Sequence, residues 1–149
     1  MPDEHNYIQL NREQRERLTR LVKGLSDTQL AQPLDGGWTV SAVLAHCAFW
    51  DQHALLHWET WERDSIKPLP VNVDSLNSAG LPSWLATPPR VAAAQAQEAA
   101  EAIDHKVENL DPALVEKFRA EKYALWRLHT YEHRGEHLDE IERALDSTG

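Results

Sequence analysis

The chain has 149 residues, a size at which one core buries roughly 70% of the surface that the unfolded chain exposes. Its formal net charge of −9, with no concentrated run of Lys and Arg, argues against nucleic acid and anionic membrane surfaces as partners, because phosphate polyanions require a basic patch. The single cysteine, Cys47, cannot form an internal disulfide. There is neither an apolar run of about eighteen residues nor a charged-then-apolar leader, so no membrane span or signal peptide is expected, and the expected location is a reducing cytoplasm.

Read in chain order, the sequence predicts helices and almost no strand. Asn11 can cap a first helix, with Gln14 completing a capping box and Leu18, Leu21, Val22 and Leu25 as the apolar stripe. A connector containing Pro33, Gly36 and Gly37 follows. Thr39 is then placed as the N-cap of a second helix over Val40–Asp64, with Trp38 and Val43 as a hydrophobic staple. The segment "SIKPLPVNVDSLNSAGLPSWLATPP" has five prolines, so it is expected to cross as a long connection with at most one short turn near "VDSLNSA". Thr87 with Pro88 and Pro89 opens a third, alanine-rich helix over residues 90–110. Asp111 and Pro112 restart the chain, and a fourth helix is expected over residues 115–144. Four helices with one long crossover predict an all-α four-helix bundle forming a single domain over 1–149, an architecture that builds metal and ligand sites from side chains on facing helices.

The histidines carry the chemistry. Scattered at random, eight histidines would give about 0.4 pairs spaced by four. The chain has His53 with His57, His129 with His133, and His133 with His137. Residues four apart share a helix face with about 6 Å of rise, close enough for two imidazoles to share an ion, whereas about 12 Å separates His129 from His137. Spacing leaves open which of those two pairs is the site. Thr130 follows His129, so the His-Glu-x-x-His of zincins is missing, and too little chain follows "HTYEH" to supply the distant ligand of the inverted motif. No histidine has a glutamate three positions before it, which excludes a di-iron carboxylate bundle.

"WTVSAVLAHCAFWD" and "HTYEHRGEH" together resemble the two signature elements of the DinB-like family, and "VDSLNSAGLPSWLATPPR" is similar to the middle segment of its small members. The resemblance implies an up-down-down-up four-helix bundle with one divalent metal, and position by position its ligands are His46, His129 and His133. It places an aliphatic residue where His137 stands and a glutamine at Glu136, whose carboxylate is a candidate acceptor for a ligand N–H. Trp50, one turn from His46, is a candidate pocket wall, and Asp51 and Asn77 are polar positions near the expected cleft.

Three neutral imidazoles leave one to three positions open on zinc or nickel, the arrangement of a catalytic site. Such an ion lowers the pKa of bound water or deprotonates a thiol. The resemblance therefore implies a small-molecule substrate and either hydrolysis or transfer of a low-molecular-weight thiol cosubstrate. A non-catalytic metal or ligand binder is the alternative. His53 and His57 are expected on the surface or at a dimer interface, and the tryptophans and histidines of "HALLHWETW" are read as exposed anchors of a homodimer. Cys47 is expected to be a small core residue.

Overall fold

A computed structural model of the chain describes residues 6–148; residues 1–5 and 149 of the expected domain lie outside them. The described residues are all-helical, with α1 Tyr7–Gly24, α2 Asp27–Leu30, α3 Val40–Asp64, α4 Val73–Ala86, α5 Pro89–Glu108, α6 Pro112–Ala120 and α7 Thr130–Thr148. No described helix is long and apolar enough to cross a membrane. The long helices pack on one another, α3 along α5 and α1 against both α5 and α7.

Local chemistry explains the firm boundaries. The Thr39 side chain accepts a hydrogen bond from the Ala42 N–H at 3.1 Å, so α3 starts where the sequence predicts. Asp111 accepts from the Ala113 N–H at 2.9 Å and Pro112 takes the first helical position of α6. The alanines of α5 allow close approach. Ala93, Ala96 and Ala100 pack with Val43, Leu44 and Cys47 of α3 and with Leu138 and Ile141 of α7 in one half of the core. In the other half Trp58, Trp61, Ile103, Phe118 and Leu128 pack together. Trp58 and Trp61 are 0% and 1% exposed, so these two tryptophans are core residues and not exposed anchors.

Four expectations are corrected. Asn11 does not cap its own helix, because α1 already begins at Tyr7. Its buried side chain reaches across to the start of α7, donating to the Leu128 carbonyl at 3.1 Å and accepting from the Tyr131 N–H at 2.9 Å. The proline-rich crossover contains a full helix, α4, with Pro82 inside it. The Asn72 side chain caps that helix through the Ser75 N–H, and buried Trp84 anchors it, which offsets the hydrogen bond that the proline removes. Thr87 ends α4 instead of capping α5, its hydroxyl donating to the Ser83 carbonyl.

The expected fourth helix is broken. Lys122 adopts φ 57° after α6, a short 3-10 turn spans Leu125–Arg127, and α7 begins only at Thr130. No glycine or proline marks this break. Tertiary bonds hold the open backbone: the Trp58 indole N–H donates to the Arg127 carbonyl at 2.7 Å, and Asn11 holds Leu128. The break lies just before the histidine-rich stretch and decides its geometry.

Candidate metal centre

The first turns of α3 are buried on every side, from Val40 through Ala48, and His46 lies among them at 4% exposure. His133 and His137 sit one turn apart on α7. The Nε2 atom of His133 lies 3.1 Å from Nε2 of His46 and 3.1 Å from Nε2 of His137. All three donor atoms fall within 4.8 Å of one another. Ligands about 2.1 Å from a tetrahedral ion stand about 3.4 Å apart, so two edges of the triangle, at 3.1 Å, are already close to the length an ion would give them. Burial, reinforced by the neighbouring histidine, holds His46 and His133 down to about 3, so both rings are neutral donors near neutral pH. These three histidines can hold a metal ion.

The surrounding residues fix the rings. Glu140 Oε2 lies 3.3 Å from His137 Nδ1, which places the proton on Nδ1 and leaves the Nε2 lone pair facing the cluster. Trp38 and Trp84 pack edge-on against His46, with ring centroids 5.3 and 5.0 Å away. Among the described residues, His46 Nδ1 is buried without a hydrogen-bond partner.

Arg134, directly after His133 and 2% exposed, ties α7 to the other long helices. Its Nη1 donates to the Asn11 carbonyl of α1 at 3.1 Å and to Asp104 of α5 at 3.0 Å, while its Nη2 donates to Asp51 of α3 at 3.2 Å. Asp104 also accepts from Arg15 at 2.8 Å and from the Thr130 hydroxyl at 2.7 Å. This guanidinium ties α7 to α3 beside His133, while Leu138 and Ile141 pack further along the same helix. Burial pushes Asp51 up to about 6 despite the opposing pull of Arg134.

A cavity of about 570 Å³ opens beside the histidines. Trp38, Trp50, Trp126, Val43 and Val73 supply its apolar wall, and Asp35, Asp51, Asn77, Thr130 and Glu140 its polar one. The Trp50 indole N–H donates to Asn77 Oδ1 at 2.9 Å, joining α3 to α4. The turn Asp35–Gly37 brings Asp35 and Trp38 to the mouth, and Gly36 at φ 72° and Gly37 at φ 83° occupy conformations that favour glycine.

The structure thus brings together His46 and His133 from the ligand set implied by resemblance and adds His137 in place of His129. His129 precedes the first residue of α7, so the four-residue spacing does not put it on a helical face with His133. Its ring instead stacks against Tyr7 and Tyr131, at 5.8 and 5.6 Å between centroids. Glu136 is exposed and does not line the cavity; the carboxylate beside a ligand ring is that of Glu140. Trp50, Asp51 and Asn77 line the cavity. His57 is buried at 6%, not a surface residue, and its Nδ1 accepts from Arg127 Nε at 2.8 Å. Cys47 is buried away from the cavity lining, and burial pushes its thiol far up. Glu140 and Trp126 were not singled out from the sequence. Glu140 stands three residues after His137, one helical turn, a spacing from which it could have been found.

No curated protein and no solved structure matches the chain. The family model of the DinB superfamily matches residues 10–141, nearly the whole chain including all three clustered histidines, and the protein belongs to the DinB superfamily.

Proposed function

We propose that this protein is a metal-dependent enzyme of small-molecule chemistry, with His46, His133 and His137 holding one divalent ion, zinc or nickel, at the edge of the tryptophan-walled cavity. The observation that carries this reading is that three imidazole donors converge while a cavity large enough for an organic ligand opens beside them. A divalent ion bound there supplies activation of a low-molecular-weight thiol or of water. The reaction class is accordingly thiol transfer to an electrophile or hydrolysis of a small substrate.

The chain's own residues have separable tasks in this reading. Glu140 fixes the tautomer and orientation of His137. Trp38, Trp50 and Trp126 exclude water from one side of the substrate and give it an aromatic surface. Asp51, held in the wall by Arg134, is the group suited to hold a proton at its carboxyl, because its raised pKa lies closer to neutrality than that of an ordinary carboxylate. The four long helices are read as an up-down-down-up bundle in one domain over 1–149, with α4 lying in the crossover. The location proposed is a reducing cytoplasm, in keeping with the single buried Cys47.

Metal analysis of protein purified without a histidine tag tests the ligand set. One divalent ion per chain is expected, with severe loss in His46→Ala, His133→Ala and His137→Ala and near-full content in His129→Ala. Loss in His129→Ala with retention in His137→Ala would return the site to the set implied by resemblance. A screen of thiols against electrophiles with the loaded protein then separates transfer from a non-catalytic binding role, for which no turnover is expected.

A further inference from the structure

The charges around the cavity bear on what can enter it. Among the described residues, its ionisable lining apart from the histidines consists of Asp35, Asp51 and Glu140, with no lysine or arginine side chain. Two buried cations lie behind the wall: Arg134, with Arg15, faces Asp51 and Asp104, two positive groups against two negative ones, and Arg127 lies over the Trp126 ring, 4.6 Å from its centroid, donating to His57 Nδ1 and the Leu69 carbonyl. Arg127 reaches the cavity only through the Trp126 ring, whereas Asp35 and Glu140 present their carboxylates in the lining itself. A carboxylate on the ligand therefore enters against like charge, with no basic side chain of the described lining to meet it. Arg143 lines, with Asp35 and Glu140, a neighbouring outer groove and not the cavity itself. The three indoles, in contrast, present flat apolar faces suited to an aromatic body.

We propose, resting on the metal-site reading above, that the cavity selects a non-anionic ligand with an aromatic body, and that Asp35 and Glu140 act as a charge filter against thiols and substrates carrying carboxylates. Asp35 is an exposed residue at the mouth, so its replacement tests the filter without disturbing the core or the histidines.

The test uses two matched probes, phenylmethanethiol and 4-(mercaptomethyl)benzoate, titrated into the cobalt-loaded protein and followed by the thiolate-to-cobalt absorption band and by tryptophan fluorescence. The uncharged thiol is expected to bind at least ten-fold more tightly. Asp35→Lys is expected to narrow that ratio several-fold, and Trp126→Ala to weaken both probes together. Equal or tighter binding of the carboxylate probe overturns the proposal. Failure to take up cobalt overturns the metal reading instead. In that event benzylamine and benzoate, titrated into the metal-free protein by fluorescence, still decide the filter: preference for benzylamine supports it, and equal binding or preference for benzoate rejects it.

Discussion

Replacing Asp104 by asparagine should destabilise the protein severely, although the change is nearly isosteric. Asp104 is fully buried and accepts four hydrogen bonds, from Arg15 at 2.8 Å, from Arg134 at 3.0 and 3.2 Å, and from the Thr130 hydroxyl at 2.7 Å. Asparagine keeps one acceptor oxygen and turns the other into an NH₂ that faces guanidinium donors. Arg134, at 2% exposure, would keep only Asp51 as a counter-charge. Breaking a buried pair by removing one partner costs about 3–5 kcal/mol. With an unfolding entropy of about 2.1 cal/mol/K per residue, the whole chain loses its structure with about 0.3 kcal/mol/K, so Tm should fall by roughly 10–16 °C. Circular-dichroism melts and urea titrations of the metal-free protein at pH 7 would measure it. A loss below about 1 kcal/mol would mean that the network behaves like a solvated surface pair and that Arg134 does not hold α7 against α3.

Three further outcomes follow from the same geometry. Glu140→Ala should weaken zinc binding about 10–100-fold while leaving stoichiometry unchanged, because it removes the partner that orients the His137 ring; competition with a chromophoric chelator measures it, and unchanged affinity would remove Glu140 from the site. The metal-free protein should lose stability between pH 7 and pH 5, since His46, His133 and His57 are held to about 3, 3 and 4 when folded but have ordinary values near 6.5 when unfolded. A depressed folded pKa means that the unfolded state takes up protons first, so each ring costs about 2 kcal/mol at pH 5, while the raised pKa of Asp51 returns about 1 kcal/mol there; equal urea midpoints at the two pH values would contradict the burial of these rings. Gly80→Ala should cost about 1–3 kcal/mol and weaken the metal site, because its new methyl would meet the Trp84 indole that packs against His46; a wild-type melt would show that the indole shifts freely.

Much of the fold could be read from local chemistry. Thr39 caps α3 because the cap, the helix and the burial of everything from Val40 to Ala48 agree with one another. The elements that escaped were those fixed from a distance. Pro82 argues against a helix, yet the Asn72 cap and the Trp84 anchor, which packs against Trp38 and His46, make α4 form regardless. Asn11 is a good cap by composition, but the backbone it satisfies lies about 120 positions away in α7, as its bond to the Tyr131 N–H spans a separation of 120 residues. No periodicity in one segment can reveal that.

The histidines show the same division. Three pairs are spaced by four, and spacing alone cannot rank them, because coordination needs lone pairs that converge as well as rings that are close. His129 fails at the first step, since it lies outside α7 and stacks on tyrosines. His53 and His57 pass it, with centroids 4.7 Å apart on α3, and fail at the second: Arg127 donates to His57 Nδ1, which uses that lone pair and leaves the proton of the neutral ring on Nε2. In His133 and His137 the Nε2 atoms face each other at 3.1 Å, with the Glu140 carboxylate beside His137 Nδ1 keeping the proton off the facing nitrogen. Metal content should therefore stay at one ion per chain in the double variant His53→Ala with His57→Ala, although Arg127 would lose its partner and the melt would fall. A second equivalent of tightly bound metal in the parent protein, lost in that double variant, would show that the Arg127 bond yields to an ion and that spacing had been the better guide.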